Sequence, residues 1–330
     1  MVDTAVAEPI HLHAHAHKIR RMGRRNSQFH ALTAAAAILV LLLFIGVMAS
    51  LTHGAWLSIK TFGFSFLVTE MWNPVTQRFG ALAPIFGTFA TSVLAMIVAV
   101  PVGIGIAIFL TELCPAWLKR PIGIAIELLA GIPSIIYGIW GLFIFAPWFG
   151  RTVQPWLIDV FGNVPVFSTI FAGPPYGIGI FTASLILSIM VLPFIAAVTR
   201  DVFQTVPPQL KESAYALGCT KSEVVWNVVL PFARTGVVGG SMLALGRALG
   251  ETMAVTFVIG NAQSIGTSLF SPGTTISSAI ANEFSEAVGD VYLSALIELG
   301  LILFFITFVV LAVAQLMLYR LERRAGGKAQ

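Results

Sequence analysis

Residues 212–231 read ESAYALGCTKSEVVWNVVLP, a polar stretch set between long apolar segments. The residues before it, 205–208, read Thr-Val-Pro-Pro. They predict the start of a helix, because a threonine can cap a first turn and prolines are tolerated within it. Gly218 predicts the end of that helix, since glycine readily adopts the left-handed conformation that terminates helices.

A second helix is expected to follow directly. Thr220 and Glu223 have the spacing of a capping box, in which each side chain satisfies the backbone N–H of the other residue. Pro231 is expected to end this second helix, because proline disfavours a helical residue before it. The stretch therefore predicts two helices joined by a tight glycine turn, which together form a rigid hairpin.

A hairpin of this kind is also the shape of a DNA-binding helix-turn-helix. The second helix carries Lys221 and Glu223, followed by Val, Trp and Asn. It lacks the basic surface that binding to a phosphate backbone requires. The apolar segments on both sides also place the hairpin beside a bilayer. Nucleic acid is therefore not an expected partner.

The spacing of the hairpin resembles the EAA loop of ABC importer permeases, whose consensus is Glu-Ala-Ala, three residues, Gly, nine residues, Ile-x-Leu-Pro. The chain departs from it only by Ser213 for Ala and Val228 for Ile. In that family the loop is the coupling helix, which docks into a groove of a cytoplasmic ATPase. The resemblance implies that coupling to an ATPase depends on Glu212, Ser213, Ala214, Gly218, Leu230 and Pro231.

The composition is that of a polytopic membrane protein: 57% of the residues are hydrophobic and 10% are charged, with a mean hydropathy of +0.89. The sequence contains no Gly-x4-Gly-Lys-Ser/Thr loop, and Gly218-Cys-Thr-Lys-Ser lacks a glycine before its lysine. We therefore expect no cofactor on this chain, and ATP on a partner subunit. Cys114 and Cys219 are expected to be free thiols.

Six apolar segments are long enough to cross about 30 Å of hydrocarbon as helices. The sequence thus predicts an all-α, polytopic membrane protein with six transmembrane helices, the EAA loop preceding the fifth. The predicted segments are 30–51, 83–111, 122–148, 177–202, 235–260 and 291–319. Three of them contain a proline that is expected to kink the helix, namely Pro101, Pro133 and Pro193.

These segments divide the chain into four parts. Residues 1–28 are expected to be a disordered cytoplasmic tail, and residues 29–82 the first transmembrane helix with a periplasmic loop. Residues 83–320 are expected to form the type I transmembrane domain, with its coupling loop at 203–231. Residues 321–330 are expected to be a cytoplasmic tail.

The N-terminal tail alternates histidine with other residues and then becomes basic. The histidines are His11, His13, His15 and His17. A metal site is the less favoured interpretation, because nothing fixes their geometry. A basic tail facing anionic lipid headgroups is favoured instead. The apolar segment after it lacks a small-residue cleavage site, which indicates an uncleaved anchor in the membrane.

The distribution of Lys and Arg predicts the orientation in the membrane. Fifteen of the 19 lie in the two tails, after the second segment and around the hairpin, whereas Lys60, Arg78 and Arg151 lie in loops on the other side. Both termini and the hairpin are therefore expected to be cytoplasmic, in a multi-pass protein of the bacterial inner membrane.

The loops expected on the periplasmic side are rich in aromatic residues, glycine and proline. Tryptophans that fit an interfacial belt are Trp56, Trp72, Trp148 and Trp156. We interpret the acidic residues of these loops as solvated charges rather than ligands; they are Glu283, Glu286 and Asp290. The loops are also a possible surface for an external partner.

A charged pair lies inside the fifth predicted segment. An arginine there costs about 2.5–3.5 kcal/mol on insertion scales, so Arg247 calls for a functional or structural reason. Glu251 lies four residues on, one turn along the same helical face, and is expected to neutralise it. Glycine pairs at small-xxx-small spacing predict close helix packing at Gly236 with Gly240 and Gly246 with Gly250.

Two interpretations of this pair stay open. In the first, Arg247 and Glu251 form a structural ion pair within the bundle. In the second, they line the substrate path: the guanidinium binds a tetrahedral oxyanion in a bidentate manner, and Glu251 holds Arg247 between substrates or accepts a proton. Glu298 and Glu127 are weaker candidates, for which packing or interfacial roles are favoured.

The segment 246–254, Gly-Arg-Ala-Leu-Gly-Glu-Thr-Met-Ala, resembles phosphate ABC permeases of the PstC and PstA types, as does Gly-Ile-Pro-Ser-Ile-Ile-Tyr-Gly at 131–138. The extra first segment, the length and the continuation Tyr-Gly-Ile-Trp-Gly favour the PstC type. The resemblance implies a permease that imports phosphate together with a PstA-type permease subunit, a PstB-type ATPase dimer and a PstS-type periplasmic phosphate-binding protein.

Other function classes receive less support. A stand-alone secondary anion carrier would be expected to contain inverted repeats, which are not visible in the sequence. An ABC permease for sulfate or molybdate also fits the chemistry, because one arginine does not discriminate between these oxyanions. An intramembrane enzyme is disfavoured, since no His-Glu-x-x-His motif occurs and no histidine lies in the second to sixth segments.

Overall fold

The computed structural model describes residues 10–162, 164–165 and 167–326, and these residues are mostly helical with no β-strand among them, as predicted. The helices are α1 (Ile10–Phe62), α2 (Ser65–Val68), α3 (Leu82–Ile108), α4 (Ala116–Ala130), α5 (Ser134–Trp140), α6 (Ala146–Trp148), α7 (Gln154–Phe161), α8 (Phe167–Ile170), α9 (Ile180–Gln204), α10 (Pro208–Ala216), α11 (Lys221–Val224), α12 (Leu230–Leu249), α13 (Met253–Thr256), α14 (Ile276–Glu283) and α15 (Asp290–Gly326). Short π-helical segments follow α3, α5, α6 and α11.

Five helical segments of the described chain are long and apolar enough to cross a membrane. They are Gln28–Phe62, Leu82–Leu113, Ile180–Gln204, Lys221–Leu249 and Asp290–Arg320. A sixth crossing is obtained if the bent pair Ala116–Ala130 and Ser134–Phe161 counts as one span. The predicted polytopic architecture is thus confirmed, but the third predicted segment is not a single helix.

The third segment, predicted as one kinked helix at 122–148, consists of two helices that meet at 89°. The break falls at Gly131-Ile132-Pro133, where Pro133 caps α5 in an extended conformation. A proline usually kinks a helix, but here the preceding glycine and the extended proline end one helix and begin another. The hydroxyl of Tyr137 donates to the carbonyl of Leu129 at 2.9 Å and braces the corner.

The chain divides into two compact units, Met1–His53 and Gly54–Gln330. The first unit holds most of α1, which begins at Ile10. Residues 10–28, predicted as a tail, lie within this helix; they include four arginines, which favour a helix. The side chains of the alternating histidines lie outside the described residues, as do residues 1–9.

The core of the second unit is centred on α9, in which 67% of the residues in the apolar stretch are buried. Glycines on its neighbours allow a close approach. A Cβ atom at Gly103 of α3 would lie 2.7 Å from Ile195 Cγ2, and one at Gly240 of α12 would lie 2.6 Å from Val198 Cγ1. Bundled membrane helices commonly pack through such small residues, since these let the backbones come close.

The two predicted glycine pairs behave differently. Gly236 packs against α9 in the same way as Gly240, since a Cβ atom there would lie 2.6 Å from Val202 Cγ1. A Cβ atom at Gly246 would instead lie 3.2 Å from Leu311 Cδ2 of α15. One at Gly250 would approach only backbone carbonyl oxygens of its own helix, at 4.0 Å. The second pair is therefore not a shared packing face, because Gly250 follows the last residue of α12.

The acidic residue Glu283 is anchored, contrary to the prediction that it is solvated. Its carboxylate accepts hydrogen bonds from the indole N–H of Trp72, at 3.2 Å, and from the hydroxyl of Tyr292. Trp72 also packs edge-on against Phe79, with ring centroids 4.9 Å apart. These contacts tie the segment before α3 to α14 and α15.

The close packing of α3 against α9 can be tested with two alanine substitutions on one helix. Gly103→Ala should lower the free energy of unfolding by about 1–3 kcal/mol, because the added methyl group overpacks the contact with the β-branched Ile195. Gly105→Ala is the control, since a Cβ atom there meets nothing within 4 Å. We would compare thermal unfolding of the purified variants in one detergent; equal midpoints would contradict the packing described.

Candidate functional site

The hairpin at the centre of the sequence analysis forms as predicted, from α10 and α11. Its turn is at Gly218, whose φ of +88° favours glycine over other residues. The N–H groups of Leu217, Gly218 and Cys219 donate to the carbonyls of Ser213, Tyr215 and Ala214. These bonds satisfy the last carbonyls of α10, so the helix ends at the turn.

The second helix of the hairpin begins with the predicted capping box. The N–H of Thr220 donates to the Glu223 carboxylate at 2.7 Å, and the N–H of Glu223 donates to the Thr220 hydroxyl oxygen at 3.4 Å. The box fixes the direction in which α11 leaves the turn.

The start of α10 differs from the prediction. Its N-cap residue is Pro207, without a side-chain cap. Thr205 is the last residue associated with α9, and its hydroxyl donates to the carbonyl of Val202 at 2.7 Å. Since this hydroxyl bonds backwards along the chain, it terminates α9 instead of starting α10.

Pro231 does not end the second helix, in contrast to the prediction. A π-helical segment, Val225–Val229, follows α11, and the chain continues from Leu230 as α12 with Pro231 in its first turn. A π-segment changes the hydrogen-bonding register by one residue, and proline has no N–H to donate. The helix therefore passes the proline and extends to Leu249, joining the hairpin directly to the fifth span.

One face of the hairpin is buried against the adjoining ends of α3, α9 and α12, which we call the hairpin end of these helices. Ala214 and Cys219 of the hairpin pack on an apolar cluster there that includes Ala107, Phe203 and Val229. Leu230 packs on the same cluster. The hairpin is thereby fixed to three long helices at once.

The other face of the hairpin is exposed and partly apolar. Leu217 is 85% exposed and Trp226 is 67% exposed. Glu212, Ser213 and Gly218 are exposed beside them. Large exposed apolar side chains among polar ones are typical of a surface that binds another protein. Leu217 lies in the turn of the hairpin and Trp226 in the π-helical segment that follows it. The residues predicted for coupling thus form two sets. Glu212, Ser213 and Gly218 are exposed, whereas Ala214 and Leu230 pack inward. Pro231 is exposed at the start of α12.

A partly buried ion pair beneath the hairpin was not predicted from the sequence. Lys211 Nζ of α10 lies 2.5 Å from Glu112 Oε1, in the π-helical segment that ends α3. The Glu112 side chain is 9% exposed and the Lys211 side chain 21%. The two residues lie 99 positions apart, so no local spacing relates them; the only signal is an acidic residue at the end of an apolar segment.

Arg247 lies in the last turn of α12 with its side chain exposed. It is about 20 Å along the helix from Arg234, at about 1.5 Å per residue. Within the part of the chain that the structure describes, Arg247 forms no ion pair or hydrogen bond. Its charge is favoured by the carboxyl end of the helix dipole but is not neutralised by an acidic side chain.

The predicted ion pair between Arg247 and Glu251 is not formed. The helix ends at Leu249, so Glu251 does not continue the face that carries Arg247. Its Oε1 instead accepts a hydrogen bond from the N–H of Ala254, at 3.2 Å, in the first turn of α13. The fifth span, predicted to reach residue 260, ends early because Gly250 and Glu251 turn the chain at that point.

The short helices that follow the breaks in the third and fifth spans, α5 and α13, lie against each other. A Cβ atom at Gly138 of α5 would lie 2.9 Å from the carbonyl oxygen of Met253 in α13. Only glycine permits this approach of the two short helices. The two segments singled out in the sequence, 131–138 and 246–254, are therefore neighbours in space, and each contains an interrupted helix.

The two weaker candidates occupy different surroundings. Glu127 pairs with Arg200 at 2.9 Å and is 56% exposed, as expected for an interfacial role. Glu298 is 6% exposed within α15. Its Oε2 has no hydrogen-bond partner among the described residues. No group of three His, Cys, Asp or Glu residues in the described chain is placed to hold a metal ion.

Comparison with known proteins decides the family. Residues 99–327 match the family described as "Binding-protein-dependent transport system inner membrane component". Over 308 residues the chain is 64% identical to the "Phosphate transport system permease protein PstC" of Mesorhizobium japonicum, which covers 93% of this chain and 94% of that protein. The chain belongs to the PstC family. It is also 63% identical over 300 residues to the protein of that name from Pasteurella multocida, with 91% and 93% covered.

The fold of this PstC-family permease is also that of solved ABC importers. A bacterial alginate ABC transporter, solved in complex with an alginate pentasaccharide-bound periplasmic protein, contains a chain that matches with a TM-score of 0.62 at 18% identity. The match covers 90% of this chain and 96% of that one. The permease is therefore a multi-pass inner-membrane component of an ABC transport system, which works with partner subunits and is not itself the ATPase.

The hairpin turn can be tested with two substitutions at one position. A Cβ atom at Gly218 meets nothing within 4 Å, so only backbone strain distinguishes substituents there. Gly218→Val should lower the free energy of unfolding by about 1–3 kcal/mol, because valine disfavours a positive φ. Gly218→Asn should cost less, since asparagine tolerates that conformation. Thermal unfolding of both variants measures the difference, and equal losses would contradict the left-handed turn.

Proposed function

We propose that this chain is the permease subunit of an ATP-driven importer that moves inorganic phosphate across the inner membrane by alternating access. The observation that carries the proposal is the 64% identity, over 93% of the chain, with a protein named as a phosphate transport system permease. Two features of the site support it: a hairpin with an exposed apolar face, and an arginine without an acidic partner in the described residues.

The hairpin is the proposed docking surface for a PstB-type ATPase. Its outward face presents Glu212, Leu217 and Trp226. An exposed aromatic and an exposed aliphatic side chain provide anchors that fill pockets in a partner, and a rim of polar groups sets the orientation. ATP is bound by this partner, because the sequence contains no phosphate-binding loop of its own.

The continuity of the hairpin with α12 supports a mechanism of alternating access. When the ATPase dimer closes, it draws the paired hairpins together, and each hairpin moves the helices that it is packed on. The substrate site then opens outward to receive the anion from a PstS-type binding protein. ATP hydrolysis releases the ATPase dimer and returns the site to the inward-open state. Each nucleotide state shifts the population of the two conformations through its differential affinity.

Arg247 is the proposed contact for the anion. A guanidinium stays charged when desolvated and binds tetrahedral oxyanions through two parallel N–H donors. Since Glu251 is engaged with the N–H of Ala254, the charge of Arg247 is available to a substrate. Glu251 then serves the path by holding α13 against the break, or by accepting a proton from hydrogen phosphate. A PstA-type permease subunit supplies the remaining groups around the anion.

Phosphate is favoured over sulfate or molybdate by the names of the relatives, while the guanidinium fits all three oxyanions. A stand-alone secondary carrier is disfavoured, because it would have no use for a docking hairpin with an exposed apolar tip. We further propose that the hairpin and both termini are cytoplasmic, in accordance with the distribution of Lys and Arg. The basic N-terminal tail then faces the lipid headgroups of the inner leaflet.

The anion contact can be tested at Arg247 in a complex purified through the permease and reconstituted in vesicles. The wild type should import phosphate when ATP and a phosphate-loaded PstS-type binding protein are supplied on their respective sides. Arg247→Met should abolish most import per assembled complex, and Arg247→Lys should weaken it roughly tenfold, because lysine keeps the charge but loses the planar fork. Neither change leaves a buried carboxylate unpaired, so the yield of complex should stay the same.

Arg234→Lys is the matched control, since it makes the same chemical change on an exposed arginine of the same helix. Its import should equal that of the wild type. Full import by Arg247→Met would contradict the anion site. An absence of ATP-dependent phosphate import by the wild-type complex would contradict the proposed function itself.

The orientation can be tested by thiol labelling of intact cells. A membrane-impermeant maleimide should leave Cys114 and Cys219 unlabelled, because both lie at the hairpin end. Val75→Cys is the positive control, since Val75 is 93% exposed in the loop before α3 and should label from outside. Permeabilised cells should label the native cysteines. Labelling of Cys114 or Cys219 without permeabilisation would overturn the orientation.

A further inference from the structure

A partly buried ion pair between Lys211 and Glu112 joins the hairpin to the end of α3. The Nζ and Oε1 atoms are 2.5 Å apart, and the Glu112 side chain is only 9% exposed. A carboxylate so far removed from water requires a partner, because an uncompensated charge in such surroundings is strongly unfavourable. The pair is therefore screened by water less than an exposed surface contact is.

The other long-range ion pair among the described residues provides the contrast. Arg200 and Glu127 lie at a similar separation, 2.9 Å, but the Glu127 side chain is 56% exposed. Exposed pairs of this sort contribute little, because water and salt screen them. The two basic side chains are similarly exposed, Lys211 at 21% and Arg200 at 19%, so the pairs differ in the carboxylate: only that of Glu112 is largely shielded from water.

The position of Lys211 relates this attachment to the outward face of the hairpin. Lys211 and Glu212 are consecutive in α10, and adjacent residues of a helix point in different directions. Glu212 is exposed, whereas Lys211 points inward to α3. A partner that displaces Glu212 therefore displaces Lys211 as part of the same rigid turn.

The opposite end of α3 contacts the segment before α14. A Cβ atom at Gly87 would lie 1.8 Å from the carbonyl oxygen of Thr274, and the hydroxyl oxygen of Thr88 accepts a hydrogen bond from the N–H of Ile276 at 3.0 Å. The helix Leu82–Leu113 has 32 residues. It thus spans about 48 Å at about 1.5 Å per residue and reaches from the hairpin to a loop at the far side of the bundle.

From this geometry we infer that the Lys211–Glu112 pair transmits the displacement of the hairpin to α3, and through α3 to the segment 274–276 at the opposite end. The inference rests on the proposed function and assigns Lys211 and Glu112 as positioning residues. The apolar cluster beneath the hairpin keeps the surfaces together, while the charge-assisted hydrogen bond is directional and resists sliding between them. Breaking the pair leaves the hairpin docked but able to move without α3.

The test uses the complete complex in vesicles and measures phosphate imported per ATP hydrolysed. Glu112→Gln and Lys211→Met each remove one charge and should lower this ratio roughly fivefold or more, within the usual range of coupling between sites. The double exchange, Glu112→Lys with Lys211→Glu, restores an opposite-charge pair and should recover most of the ratio. Glu127→Gln is the matched control, since it breaks the exposed pair and should leave the ratio unchanged.

The ratio separates transmission from folding. A purely structural role would lower the yield of complex in the single variants but leave phosphate per ATP at the wild-type value, and this result would overturn the inference. Failure of the double exchange to recover the ratio, in complexes obtained at wild-type yield, would also overturn it. Absence of import by the wild type would reject the proposed function and the inference together, whereas import by the wild type with unaltered single variants rejects the inference alone.

Discussion

The architecture depends on how closely the helices beside α9 can approach it. Gly103 of α3 and Gly240 of α12 sit against β-branched residues of α9, where a methyl group would already overlap with its neighbour. In an apolar solvent the hydrophobic effect does not drive helices together, so association relies on close contact between backbones and on shape. The glycines provide that contact, and α9 becomes the buried axis around which the other spans are arranged.

In a closely packed bundle, the breaks in the helices are candidate binding positions, because they free backbone polar groups. The corner at Gly131–Pro133 and the turn at Gly250 expose backbone polar groups, which a membrane tolerates only where protein covers them or water reaches them. Here the helices that follow the two breaks are in contact, with Gly138 against Met253. Arg247, which precedes the second break, forms no ion pair with an acidic side chain among the described residues. Its charge is therefore available to bind a substrate anion.

The hairpin connects this interior to the surface proposed to bind an ATPase. Its buried face is held both by an apolar cluster and by the Lys211–Glu112 pair, and its exposed face carries Leu217 and Trp226. Since α11 continues through the π-segment Val225–Val229 into α12, the hairpin is also the beginning of the span that bears Arg247. The proposed docking surface and the proposed anion contact therefore belong to one nearly continuous helix.

Local chemistry in the sequence determined the hairpin, its Gly218 turn and its capping box, because those features depend on residues within one or two turns of each other. The spacing of the hairpin also indicated the family by resemblance, and the apolar segments predicted the polytopic architecture. Three features could be seen only in the structure. Pro231 lies inside a helix because a π-segment shifts the register; Glu251 leaves Arg247 because the chain turns at Gly250; and Lys211 meets Glu112 although 99 positions separate them. Spacing along the chain fixes neighbours on one helix, whereas contacts between helices depend on how the whole bundle packs.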